Sequence, residues 1–268
     1  CREHHMGESM SIDAVTMDNV KKKYVVMSGK GGVGKSTVAV NLAAALALEG
    51  KKVGLLDVDI HGPSTPTMLG LVGEKLMSDG DAIRPIPVPG IENLAVVSIG
   101  FMLQAEDAPV IWRGPMKNGV IKQFLEDVDW GDLDVLIVDC PPGTGDEPLS
   151  VIQLLGNADG AVIVTTPQEV SRVDVSKSVN FCRQLNLPVT GIVENMSGFV
   201  CPHCGTVTEV FGSGAGKKIA DAYGIPLLGS IPVDPAIGEA GDSGIPYVSR
   251  FATSPVAEVY QTISRSLV

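Results

Sequence analysis

An α/β domain, with a mostly parallel central sheet and helices on both faces, is the fold this sequence predicts. Two observations carry that reading. Short apolar, β-branched runs recur along the chain, and they are continuously apolar, the pattern of strands covered on both faces. Helix-like stretches separate them, and strands alternating with helices give a parallel sheet wrapped on both sides.

Taken in order, the runs are KYVVMS (23–28), KVGLLDVD (52–59), LAVVSIG (94–100), DVLIVDC (134–140), GAVIVTT (160–166), VTGIVENM (189–196) and PLLGSIP (226–232). Between them lie KSTVAVNLAAALALEG, stopped by Gly50, then MKNGVIKQFLEDV, EPLSVIQLLGNA and SRVDVSKSVNFCRQLN, all helix-like. The start, CREHHMGESMSIDAV, has no hydrophobic signal core and opens on Cys1 instead of Met, so a preceding piece is expected to be missing or altered. The expected organisation is a flexible extension over residues 1–20 and one domain over 21–268, with a cysteine-bearing loop at about 198–210.

Composition narrows the function. At 268 residues and 44% hydrophobic content the chain can bury one large core. Abundant glycine with only 4% aromatics suits sites built from backbone better than stacking platforms for bases. A net charge of −11 argues against nucleic acid or an acidic membrane as a partner. No apolar run reaches the roughly 18 residues of a membrane span. Five cysteines, an odd number with one close pair, point to reduced thiols and a cytoplasmic location.

Chemistry concentrates where predicted strands end, the edge at which such sheets bind ligands. GKGGVGKS, from Gly29 through Lys30, Gly31, Gly32, Val33, Gly34 and Lys35 to Ser36, follows a strand and opens a helix. Its glycines let backbone N–H groups converge on phosphate oxygens, Lys35 reaches the β/γ-phosphates, and Ser36 can ligate Mg²⁺. The expected ligand is a nucleotide carrying β- and γ-phosphates. Lys30 has no role in that scheme, and locally it reads as a solvated surface lysine. With Thr37 included, GKGGVGKST resembles the deviant phosphate loop of the MinD, ParA and nitrogenase iron-protein class of ATPases. That resemblance implies ATP as the nucleotide and a nucleotide-sandwich homodimer in which Lys30 crosses to the partner's nucleotide and acts on transition-state charge.

Asp57 and Asp59 end a strand two residues apart, so their side chains leave on one face, and such a pair needs a cation. By similarity to that class Asp57 supports the Mg²⁺ shell and Asp59 orients the attacking water. Asp139, closing LDVLIVD ahead of the rigid PPGTG turn, reads as a second magnesium carboxylate acting through water. Cys140 reads as a small buried residue. Asn195 matches the base-contacting asparagine of the class, and SIPVDP, with Pro232, lines the other side of the base by resemblance.

CPHCG places Cys201 and Cys204 two residues apart, half of a metal knuckle. Three readings stand for the pair. A thioredoxin-like dithiol would open a helix, whereas Gly205, Thr206 and Val207 look like a turn entering a strand. A zinc site closed within one chain would have to recruit His203, His61 or a distant cysteine. Two chains would supply four thiolates, for zinc or for an iron–sulfur cluster.

The motifs together, GKGGVGKSTVAVNLA, DVDIHGPS, IWRGPMK, LIVDCPPGTGDE, ENMSGF, CPHCG, FGSGAGKKIA and GSIPVDPAIGEAGDSGIP, resemble the Mrp (ApbC-like) family of iron–sulfur cluster carrier ATPases. The resemblance implies a [4Fe–4S] cluster shared across a homodimer by Cys201 and Cys204 of each chain. It also implies slow ATP hydrolysis, apo iron–sulfur proteins as recipients and a separate cluster donor. Two alternatives are weighed against it. One is a MinD/ParA-type positioning ATPase with a zinc-clasped dimer, which would need a basic tail that SPVAEVYQTISRSLV does not offer. The other is a nonenzymatic nucleotide-binding scaffold.

Overall fold

The computed structural model describes residues 14–15, 17–60, 62–80, 82–102, 114–201 and 203–268, with 114–117 given by their backbone. Cys1 with most of the expected extension, His61, Pro202 and the start of IWRGPMK lie outside the described residues.

The first half of the chain runs β1 (Val20–Met27), α1 (Lys35–Leu48), β2 (Val53–Asp57), α2 (Thr65–Met68), β3 (Met77–Asp79), β4 (Ala82–Arg84), β5 (Ile86–Pro87), β6 (Leu94–Ser98) and α3 (Gly114–Glu126). The second half adds β7 (Leu133–Asp139), α4 (Asp146–Leu155), β8 (Gly160–Thr165), α5 (Ser171–Gln184), β9 (Val189–Val200), β10 (Val207–Thr208) and α6 (Ala215–Tyr223), then β11 (Leu227–Val233), α7 (Pro235–Asp242), α8 (Tyr247–Arg250) and α9 (Pro255–Arg265). One sheet has the order β10-β9-β8-β1-β7-β2-β6-β5, with β11 also on β9. Its long strands are parallel; the short β5 and β10 run antiparallel to β6 and β9. Strands β3 and β4 form a separate hairpin.

The apolar runs are explained by two cores. Val53 and Leu55 of β2 belong to the core that α1 and α9 also line, whereas Leu56 belongs to the opposite core, lined by α3, α4 and α5. Each strand interior is therefore dry on both sides, which is why alternation is missing from the sequence. Helix α1 is buried nearly all round, and Ala43, Ala44, Ala45 and Ala47 let its backbone lie close to the sheet. Each fully buried Leu or Val contributes about 1.5–3 kcal/mol of transfer free energy. One run departs from the expectation of two covered faces. In β11 only Ile231 is fully buried, because among the described residues this strand pairs with β9 alone and lies at an edge. Among the described residues no helix is long and apolar enough to cross a membrane.

Candidate nucleotide and thiol sites

The register of the sheet assembles the first site. Val26 of β1 and Asp57 of β2 both pair with Asp139 of β7, so three strands end together where the loop after β1 begins. The loop turns into α1 through Gly32 (φ 77°) and Gly34 (φ 80°), left-handed conformations that favour glycine. Gly34 is the N-cap of α1 and offers no side-chain hydrogen bond, so the first N–H groups of the helix remain available to an anion. Close approach adds a second demand for glycine. A Cβ on Gly34 would lie 2.3 Å from Asn195 Nδ2, and one on Gly29 2.5 Å from the Asp174 carbonyl oxygen.

Asn195 is buried and its amide donates to the Val33 carbonyl at 2.9 Å, which ties β9 to the loop. Pro232 follows Ile231, the register partner of Asn195. Ser36 and Thr37 occupy the first turn of α1, and Lys30 and Gly31 lie at the loop's outer edge. The Lys30 ammonium has no ion-pair partner among the described residues; only its carbonyl is engaged, by the Ser28 hydroxyl at 2.9 Å.

Lys35 reaches back under the loop to two carboxylates, Asp139 Oδ1 at 2.5 Å and Asp59 Oδ2 at 3.3 Å, with Ser36 Oγ at 3.2 Å. All three charged groups are buried, Asp139 completely. Burial works against the Lys35 ammonium, but the surrounding carboxylates outweigh it and its pKa lies above the ordinary lysine value. Burial pushes the Asp139 carboxyl up, against the pull of Lys35. Its second oxygen, Oδ2, is buried without a hydrogen-bond partner. An orphaned carboxylate oxygen beside a parked lysine is a site built for a cation and a polyanion, so the residues fit Mg²⁺ and nucleotide phosphates.

Asp57 is fully buried, accepts from Ser98 Oγ at 2.8 Å and from the Asp59 N–H at 3.0 Å, and is pushed up to about 7, first by burial and then by Asp139. Its folded value exceeds the ordinary 3.8, so its contribution to stability is fully present below 3.8 and lost as pH rises through about 7. Asp57→Asn is therefore expected to stabilise the nucleotide-free protein at pH 8 by at most about 4 kcal/mol. The same change should flatten stability between pH 4 and 7, measured by urea unfolding.

The second site hangs from the same strand. After Asn195, β9 continues through Met196 and Gly198, both at positive φ, into a hairpin with β10 in which Val200 pairs with Val207. Cys201 and Cys204 form its tip. The Cys201 N–H donates to the Thr206 carbonyl at 3.0 Å and the Gly205 N–H to the Cys201 carbonyl at 2.8 Å. Cys201 is half-buried and Cys204 exposed. Beyond Cys204 the chain makes a turn and enters a strand, unlike the helix of a thioredoxin-like dithiol. Among the described residues no group of three or more His, Cys, Asp or Glu forms a metal site. Cys140 and Cys182 differ in kind: burial raises both thiols, Cys182 to about 12, and they pack in the core.

Three residues of these sites escaped the sequence reading. Ser98 is a polar end to the run LAVVS, the signal that could have marked it. Glu194 is a charge inside the apolar run GIVEN. It is buried, accepting from Ser197 Oγ at 2.8 Å and from the Gly216 N–H at 2.7 Å, and so ties the hairpin base to α6. Thr206 follows the thiol pair and touches Cys204.

A phosphate-cradling loop between β1 and α1, faced by strand-end carboxylates at the carboxyl edge of a parallel sheet, defines a P-loop nucleotide-binding protein. The family described as ParA: NUBPL iron-transfer P-loop NTPase matches residues 19–268, and the chain belongs to it. The chain is 52% identical over 252 residues to an iron-sulfur cluster carrier protein of Saccharolobus solfataricus, covering 94% of this chain and 84% of that protein. It is 54% identical over 232 residues to one of Methanocaldococcus jannaschii, covering 87% and 79%. A nucleotide-binding protein of Archaeoglobus fulgidus, solved in complex with ADP and with cobalt found in it, superposes with a TM-score of 0.77 at 41% identity over 87% of this chain and 90% of that one. The septum site-determining protein MinD of Pyrococcus horikoshii, complexed with Mg-ADP, superposes with a TM-score of 0.66 at 25% identity, with 91% and 94% coverage.

Proposed function

We propose that this chain is an ATP-binding and ATP-hydrolysing iron–sulfur cluster carrier. Two copies hold a [4Fe–4S] cluster between their Cys201 and Cys204 pairs and pass it to apo-proteins. The observation that carries the reading is the placement of an accessible thiol pair at the tip of a hairpin whose parent strand touches the phosphate loop through Asn195. A cluster of this type takes four thiolates and one chain presents two, so a second copy completes the set. The relatives named as iron-sulfur cluster carriers agree with this assignment.

The chain's own residues supply the nucleotide chemistry. Phosphates enter at the N–H groups of the loop and α1, and Lys35 turns from Asp139 and Asp59 toward the β/γ-phosphates. Asp139, released from that balance, and Asp57, together with Ser36, would hold Mg²⁺, which would supply charge neutralisation on the phosphates. Asp59 then orients water. Asn195 and Pro232 border the base, and Lys30, without an ion-pair partner among the described residues, reaches the nucleotide of the second copy.

Lys30→Ala is expected to leave ATP affinity within about threefold while lowering hydrolysis by about 10²-fold or more, measured by binding calorimetry and phosphate release. The reading itself is tested by anaerobic reconstitution with iron and sulfide, followed by iron and sulfide counts and sizing. About four irons and four sulfides per dimer are expected. A protein that takes up only zinc, one ion per dimer, would make the pair a structural clasp.

A further inference from the structure

The two thiols of the pair are not equivalent, and the difference bears on how a cluster leaves. Cys201 is held at both main-chain ends, its N–H on the Thr206 carbonyl and its carbonyl under the Gly205 N–H, and it is half-buried. Cys204 is exposed, and its Sγ lies 3.3 Å from the Thr206 hydroxyl. Resting on the carrier reading above, we infer that Cys204 is the first ligand to leave the cluster during transfer, and that Thr206 is the positioning residue that makes it so by hydrogen-bonding its sulfur.

The chemistry is ligand exchange at iron. A thiolate of the recipient donates an electron pair to the iron, and the Fe–Sγ bond to Cys204 breaks with its pair left on sulfur. The oxidation state of iron does not change. The faster-leaving thiolate is the one whose anion is better stabilised. In the free thiol the Cys204 Sγ–H donates to Thr206 Oγ1; a thiolate has no proton to give, so on iron the hydroxyl donates to Sγ instead, which stabilises the anion and draws electron density from the Fe–S bond. Among the described residues no hydroxyl hydrogen-bonds the Cys201 sulfur, and Cys201 remains as the hinge on which the cluster turns toward the recipient. Thr206 is itself exposed, and its main-chain bond to Cys201 survives a change of side chain, so replacement leaves the hairpin intact.

The test uses the full chain reconstituted with iron and sulfide, as wild type, Thr206→Val, Thr206→Ser and Cys204→Ser, with an apo-ferredoxin in excess as recipient. Thr206→Val is expected to hold the wild-type iron and sulfide, to transfer about fivefold more slowly, and to show a more negative midpoint potential. Thr206→Ser should restore both. Transfer quenched partway with an alkylating reagent should label Cys204 ahead of Cys201. Equal rates and potentials in wild type and Thr206→Val, label on Cys201 first, or a Thr206→Val protein that holds no cluster would each overturn the inference. In those cases the carrier reading stands, provided that wild type binds the cluster and Cys204→Ser does not. A wild type that takes no cluster overturns both together.

Discussion

Replacing Lys35 with alanine is expected to abolish ATP binding, seen as loss of all binding heat at ATP concentrations that saturate the wild type. The ammonium is the buried cation nearest the phosphate-cradling loop, and its charge-assisted bonds to phosphate contribute about 1.5–3 kcal/mol each. Losing them lowers affinity by more than about 100-fold. A second effect comes from the ion pairs. Lys35 neutralises Asp139, which is wholly buried, and removing one partner of a buried pair costs about 3–5 kcal/mol when the other must stay charged. Asp139 can escape that cost by taking a proton, since burial already raises its pKa. Lys35→Ala should therefore lose most stability at pH 8 and least near pH 5, read from urea midpoints across that range. A variant equally stable at both would mean that Asp139 is not charged in the wild type.

Cys201→Ala is expected to lose the whole cluster, about four irons and four sulfides per dimer, while binding ATP as the wild type does. The separation is a matter of position. Cys201 lies at a hairpin tip, with its N–H and carbonyl engaged in bonds that alanine keeps, whereas the loop contact of the same strand is made by Asn195. Folding stability should change by less than about 1 kcal/mol, as for sites outside the core. Anaerobic reconstitution beside calorimetry decides it. A full cluster in Cys201→Ala would refute the thiol assignment, and a loss of ATP binding would mean that hairpin and loop form a single cooperative unit.

The parallel sheet was legible because burial on both faces leaves an uninterrupted apolar signature in each strand, and the loop because only glycines fit its positive φ and close contacts. The helices after β9 were harder to read. Helices α7 to α9 follow the last strand, outside the strand–helix alternation, and single caps, Asp234 for α7 and Ser254 for α9, mark two of their starts. Strands β3, β4 and β10 are two or three residues each and largely exposed, too short to carry a pattern.

What the sequence determined by itself was which chemistry the chain carries: a phosphate loop, strand-end aspartates and a thiol pair, each a local motif whose spacing is set by the backbone. Only the tertiary structure decided how those parts share their charges and supports. Lys35 balanced between Asp139 and Asp59, Ser98 holding Asp57, Glu194 joining β9 to α6, and Thr206 beside Cys204 rest on packing and turn geometry. Most of these partners lie far apart in sequence. The reason is physical: motif spacing is a property of one segment, whereas hydrogen bonding and desolvation depend on which segments the core brings into contact.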